Sequence, residues 1–291
     1  MGYVVKLENL SCELQDGTRL LDGVNLEVEP GECVLLCGRS GAGKTTITKC
    51  LNGLIPNFEP GVARSGKVSV CGKDPAECET YELALEVGNV FQNPKSQFFN
   101  LTSDDELAFG LEVAGANPDD IDARIEEVSR AMGVEGLRDR NVNHMSGGEK
   151  QSLVFASVEA ANPALYILDE PTANLDKEAT SKIRAQIEVA LASGKTVIIA
   201  EHRLDFIADL VTRALLVEGG RITRTLSSGD LLSLTDSELE DAGLRSPRHN
   251  RIDSMARMSR AKLSEGTPRG ALTVHDLSVK RKGEAVFAPV S

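Results

Sequence analysis

The run Gly38-Arg39-Ser40-Gly41-Ala42-Gly43-Lys44-Thr45 has the spacing G-x-x-x-x-G-K-[ST], which suits the binding of phosphate. Its glycines let backbone N–H groups turn inward around phosphate oxygens, and the helix-compatible run that follows adds the positive end of its dipole. Lys44 is expected to reach the β- and γ-phosphates of a nucleotide, and the Thr45 hydroxyl to hold Mg²⁺. Thr46 extends the set of phosphate-contacting residues. A second candidate is Leu165-Tyr166-Ile167-Leu168-Asp169-Glu170, an apolar strand that ends in two carboxylates. Asp169 is placed to join the Mg²⁺ shell and Glu170 to polarise a water beside the γ-phosphate. A third is Met145-Ser146-Gly147-Gly148-Glu149-Lys150-Gln151. Here Ser146 with Glu149 three residues on forms a capping box, and a glycine-opened helix N-terminus is also an anion site.

The phosphate loop alone implies no more than a nucleotide binder. The stretch from Met145 to Gln151 narrows the reading, because it resembles the signature motif of the ATP-binding-cassette family, usually Leu-Ser-Gly-Gly-Gln. Met145 and Glu149 depart from the commonest form, while Ser146-Gly147-Gly148 is intact. Other elements similar to that family follow in order over roughly residues 3–235. Gln92, in Val90-Phe91-Gln92-Asn93-Pro94, resembles the glutamine that joins the Mg²⁺ shell and senses the membrane partner. Ala173-Asn174-Leu175-Asp176 resembles the loop that crosses the dimer interface. His202, after Ala200-Glu201, resembles the switch histidine that contacts the γ-phosphate. Leu14, 24 residues before Gly38, stands where family members often stack an aromatic ring on adenine. It offers no π face, so discrimination between ATP and GTP is expected to be modest.

The resemblance implies ATP and Mg²⁺ as substrate and cofactor, and hydrolysis with Glu170, His202 and Gln92 as its catalytic residues. It also implies that Ser146, Gly147, Gly148 and Glu149 close over nucleotide held by a facing cassette, either in the same full-length chain or in a homodimer. Val90 to Phe99 and Asp104 to Gly110 are similar to energy-coupling-factor ATPases, which power uptake of vitamins or of cobalt and nickel ions. The partners implied are a transmembrane coupling subunit, whose helix Phe98 and Phe99 are candidates to receive, and a substrate-binding membrane protein. The implied location is peripheral, on the cytoplasmic face of the cell membrane.

These residues need a frame to position them. Strand-like runs at Cys33–Cys37, Leu165–Asp169, Thr196–Ala200 and Ala214–Glu218 alternate with helical segments, which indicates an α/β core. From Leu101 to Arg140 the pattern turns helical, with Ile121, Ile125, Val128 and Met132 on one face. The fold expected is a P-loop NTPase core with an antiparallel β subdomain and an inserted helical subdomain at about residues 93–150, within a cassette spanning 1–241. Residues 242–270 read as a basic polar linker: from Arg245 to Gly270 seven basic residues stand against two acidic ones. Residues 271–291 read as the truncated start of a second cassette. There Leu272-Thr273-Val274-His275-Asp276-Leu277-Ser278 matches Val5-Lys6-Leu7-Glu8-Asn9-Leu10-Ser11, and with one gap Gly283 to Ser291 follows Gly17 to Asn25.

Composition and spacing weigh against several alternatives, of which a soluble tandem cassette acting on ribosomes or nucleic acid is the main one. A net charge of −12 argues against a broad nucleic-acid-binding face, and so against a soluble tandem cassette acting on ribosomes or nucleic acid. About 100 residues between phosphate loop and signature leave no room for the coiled coil of a DNA-repair cassette. A purely regulatory binder would not need Glu170, Gln92 and His202 together. No apolar run approaches the roughly 18 residues of a membrane span, and the N-terminus has no charged leader before an apolar core. The six cysteines contain no Cys-x-x-Cys pair and read as reduced buried thiols.

Overall fold

In a computed structural model, residues 2–244 are described, together with the strand residues 280–281 and 284–285. The strands of residues 2–244 are β1 (Val5–Leu14), β2 (Arg19–Val28), β3 (Cys33–Cys37), β4 (Val62–Val70), β5 (Val87–Val90), β6 (Leu165–Asp169), β7 (Thr196–Ala200), β8 (Arg213–Glu218) and β9 (Arg221–Ser227). A six-stranded sheet runs in the order β5-β6-β7-β3-β8-β9 and is parallel except for β9. β3, β6 and β7 are buried almost throughout, which is why they appear in the sequence as unbroken apolar runs.

Alternation survives as a division between two cores. Leu35, Tyr166, Leu168, Val197 and Ile199 face a helical core, whereas Val34, Leu36, Leu165, Ile167 and Ile198 face an antiparallel sheet. That second sheet has the order β2-β1-β4. Register shifts interrupt β1 between Leu7 and Leu10 and again near Cys12, so no strict alternation marks it.

The helices of residues 2–244 are α1 (Lys44–Leu51), α2 (Leu54–Asn57), α3 (Thr80–Ala84), α4 (Ser103–Val113), α5 (Pro118–Ala131), α6 (Gly147–Ala160), α7 (Lys177–Ala192), α8 (Ser228–Ser233) and α9 (Asp236–Asp241). Thr102 caps α4 by accepting from Asp105 N–H, and α5 opens on Pro118 with Asp119 and Asp120 in its first turn. Ile121, Ile125, Val128 and Met132 are buried as their spacing requires. α6 runs through residue 150 and ties this helical region to the core, packing on α4, α7 and β5. Arg124 of α5 donates to the Glu159 carbonyl at 2.8 Å and the Tyr166 hydroxyl donates to the Glu159 carboxylate, so one buried polar link joins α5, α6 and β6.

Among the described residues no helix is long and apolar enough to cross a membrane. The expected linker beyond Leu244 and most of the expected second copy lie outside the described residues. Lys280–Arg281 (β10) and Glu284–Ala285 (β11) form a two-stranded antiparallel pair in a separate unit, with Lys280 opposite Ala285.

β5 packs closely on its neighbours at Gly88. A Cβ on Gly88 would lie 2.3 Å from Val158 Cγ1 and 2.8 Å from Pro163 Cγ, on side chains with little freedom to move. Gly88→Ala is therefore expected to cost ~1–3 kcal/mol as overpacking, read as a lower urea midpoint at unchanged m-value. A wild-type midpoint would contradict close packing of β5 on α6.

Candidate functional site

The chain leaves β3 at Cys37 and returns to helix at Lys44 through the glycine-rich loop. Gly38 takes φ 139° and leaves no space for a side chain, since a Cβ would meet the Val217 carbonyl oxygen at 2.2 Å. Lys44 is only 5% exposed, and its Nζ donates to the carbonyls of Gly38 at 2.8 Å and Arg39 at 3.0 Å. Arg39, Ser40, Gly41 and Thr45 are exposed, Ala42 is buried, and Gly43 and Thr46 are half-buried. Arg39 turns its guanidinium outward, where Nε donates to the Asp241 carbonyl at 3.2 Å at the end of α9.

β6 lies two strands from β3 and carries the two carboxylates to the same edge of the sheet. The Thr45 hydroxyl donates to Asp169 Oδ1 at 3.2 Å. Burial pushes the Asp169 carboxyl above its ordinary value, and the Thr45 hydrogen bond and the Lys44 charge oppose that rise. Glu170 adopts a left-handed backbone, φ 45°, which costs a non-glycine residue on the order of 1–2 kcal/mol. Its N–H is tied to the Ala200 carbonyl at 2.8 Å. The turn aims its side chain at two other expected residues. Gln92 Nε2 donates to Glu170 Oε2 at 3.2 Å, and His202 Nδ1 stands 3.9 Å from Glu170 Oε1.

Thr45, Asp169, Glu170, Gln92 and His202 are thus brought to one place beside the phosphate loop. The donor set fits Mg²⁺, which is held by a hydroxyl, one or two carboxylates and substrate phosphates rather than by a protein cage. Among the described residues no cluster of three His, Cys, Asp or Glu offers such a cage.

Ser146, Gly147, Gly148 and Glu149 are not part of that cluster. They line a separate cavity of about 670 Å³ with Asn174, Leu175 and Asp176. The capping box is complete: Ser146 N–H donates to Glu149 Oε2 at 2.7 Å and Glu149 N–H to Ser146 Oγ at 3.3 Å. Gly148 abuts α7, where a Cβ would come within 2.6 Å of Ala179 Cβ. Leu14 is half-buried at the end of β1, opposite Val62.

Residues 21–173 match the model of the ABC transporter family. Over 244 residues the chain is 39% identical to a putative ABC transporter ATP-binding protein of Treponema denticola, which covers 83% of this chain and 50% of that one. A putative ABC transporter ATP-binding protein of Methanosarcina acetivorans is 38% identical over 251 residues, 85% of this chain and 41% of its own. The chain therefore spans half or less of the length of these two relatives. Among solved structures it resembles cbiO1 of Clostridium perfringens, part of the ABC transporter complex cbiONQ. That likeness has a TM-score of 0.72 at 28% identity, covering 88% of this chain and all of that one. The chain belongs to the ABC transporter family and carries its ATP-binding cassette.

Several residues around the site were not singled out by motif. Glu201 is fully buried and accepts from Thr172 Oγ1 at 2.7 Å, His202 N–H at 2.8 Å and Arg203 N–H at 3.1 Å, with His202 Nδ1 3.2 Å away. Its visible sign is a carboxylate directly after the buried strand β7. Gln97 accepts from Phe91 N–H at 2.7 Å, and Gln151 of α6 donates to the Phe91 carbonyl at 3.2 Å, so both hold the loop that carries Gln92. Arg140 pairs with Glu149 at 2.7 Å.

Glu149 carries a pH signature. The Ser146 N–H, and then Arg140, hold its carboxyl down to about 2, against an ordinary value of 4.5. A depressed native value stabilises the fold above the unfolded value and loses that contribution as pH falls toward the native one. The stability gap between wild type and Glu149→Gln in urea titrations is expected to narrow from about pH 6 to about pH 3. A gap that widens on acidification would contradict the capping-box charge.

Proposed function

We propose that this cassette binds and hydrolyses ATP as half of a paired site and thereby powers a membrane transporter. The observation that carries the reading is the Glu170 carboxylate, held between Gln92 and His202 beside the Thr45–Asp169 contact. The loop from Gly38 to Thr45, with Thr46, binds the phosphates, and Lys44 exchanges a loop carbonyl for phosphate oxygen. Thr45, Asp169 and Gln92 would hold Mg²⁺, which would neutralise charge on the phosphates. Glu170 orients water and accepts its proton, with Gln92 and His202 fixing the carboxylate and meeting the γ-phosphate. Ser146, Gly147, Gly148 and Glu149 lie on another face, as suits a motif that closes over a neighbour's nucleotide.

The finer reading is an energy-coupling-factor importer for a vitamin or metal ion, acting at the cytoplasmic face of the membrane. The likeness to cbiO1 supports it. So does an apolar face beside Gln92. Phe99 is 74% exposed and stacks on Phe109 with centroids 4.9 Å apart, next to exposed Leu101. Phe98 instead packs inward on the helical core, which leaves Phe99 to meet a coupling helix.

We also propose that residues 242–270 link this cassette to a second one beginning near Leu272. The register of the distal hairpin supports this. In the repeat alignment Lys280 corresponds to Glu13 and Ala285 to Arg19, and each pair is matched across its own hairpin. The half-length match to the first two relatives agrees with two cassettes in a row.

Glu170→Gln keeps the shape and the Gln92 contact but removes the proton acceptor. Turnover is expected to fall by about 10²-fold or more with nucleotide affinity retained. Steady-state hydrolysis and equilibrium binding on the same preparation check this, and unchanged turnover would remove Glu170 from the mechanism.

A further inference from the structure

Cys12 and Cys50 lie 38 residues apart in sequence, yet their sulfurs are 3.4 Å from each other in a fully buried contact. Cys12 sits on β1, paired directly with Arg64 on β4, so the two side chains share one face of the antiparallel sheet. Cys50 rises from α1, the helix that begins at Lys44. Arg64 spends Nη2 on the Asp74 carboxylate at 2.8 Å, while its Nη1 is buried without a hydrogen-bond partner. A cavity of about 510 Å³ reaches this group, lined by Cys12, Glu13, Leu14, Arg19 and Arg64 among others. Two thiols in contact, a guanidinium across the strand and a cavity whose wall includes Cys12 are the parts of an oxidisable dithiol.

We propose that Cys12 and Cys50 form a reversible disulfide site, oxidised by a peroxide and reduced by a dithiol, that ties the two sides of the nucleotide site together. Cys12 is the attacking sulfur. The Cys50 thiol and the Arg64 charge draw its ionisation below the ordinary thiol range, whereas the hydrogen bond to Cys12 and burial hold Cys50 protonated. The Cys12 thiolate attacks one peroxide oxygen, the O–O bond breaks, and the leaving oxygen takes up a proton. The sulfenic acid so formed is attacked by the Cys50 sulfur. The S–S bond forms, the S–O bond breaks, and water leaves with the Cys50 proton. Two thiols have lost two electrons, which the peroxide has taken.

Bonding brings the sulfurs in by roughly 1.3 Å to a normal S–S length. Cys12 is two residues from Leu14 and Cys50 lies in the helix opened by Lys44 and Thr45, so the bond draws the base-side strand toward the phosphate-side helix. The disulfide itself stands apart from the nucleotide reading. Its effect on nucleotide affinity rests on that reading.

The test compares reduced and hydrogen-peroxide-treated protein by non-reducing peptide mass mapping, with nucleotide binding measured on both. A Cys12–Cys50 linked peptide that dithiothreitol reverses is expected, with at least a threefold change in nucleotide dissociation constant. In Cys50→Ala, Cys12 should be trapped by dimedone as sulfenic acid; Cys12→Ala, with Cys50 untrapped, provides the same check if the first variant fails to fold. Both cysteines recovered as free thiols, or linked to other cysteines, would overturn the site. A linked peptide with unchanged affinity would overturn the tie to the nucleotide. Reduced protein that binds no nucleotide would instead count against the proposed function and leave the disulfide standing.

Discussion

A buried positive charge organises the site. Lys44 is nearly enclosed, and its ammonium is met by the carbonyls of Gly38 and Arg39. Carbonyl dipoles compensate a buried cation only in part, which suits the phosphate role proposed for Lys44. Holding the charge there requires a loop that curls back over its own lysine, which in turn requires Gly38 to pass against the Val217 carbonyl. That contact exists because β8 is the parallel neighbour of β3, matching Cys37 to Leu216. The central sheet therefore places the phosphate loop through backbone register before any side chain acts.

The carboxylates reach the same edge by register too, since Asp169 pairs with Ala200 at the end of β7. From there short polar links run outward. Glu201 binds Thr172 on one side and the backbone of His202 and Arg203 on the other, so the turn after Glu170 and the histidine loop share one buried carboxylate. Gln151 binds the Phe91 carbonyl, which ties the helix opened by Ser146 to the loop of Gln92. The helical region is thereby connected to the Gln92–Glu170 contact through a hydrogen-bonded segment.

Much of this was legible in the sequence because the decisive signals are local. Cys33–Cys37, Leu165–Asp169 and Thr196–Ala200 are apolar apart from Asp169 and Thr196 at their ends, since both faces are covered, and the structure gives them the same bounds. Gly38 to Thr45 reads directly, because its glycines and lysine act within one turn of chain. What stayed hidden depends on distant partners. Arg39 meets Asp241 across 202 residues, and Gln151 meets Phe91 across 60. Glu201 has no motif of its own, and only its contact with Thr172, 29 residues away, shows it to be a buried acceptor. β1 and β2 escaped a clean period-two reading because their ladder slips register at Leu10 and Cys12.

The central claim is that the nucleotide site is a half-site, its phosphate loop and its Ser146–Glu149 motif serving different nucleotides. Specific ATPase activity across a dilution series tests that claim most directly. Because a two-fold pair is self-complementary, two copies can complete each other's sites, and linking a partner cassette makes the pairing intramolecular. The account predicts activity per molecule that falls on dilution for this chain and becomes independent of concentration once a second cassette is fused to it. High, flat specific activity down to nanomolar protein without the fusion would contradict it.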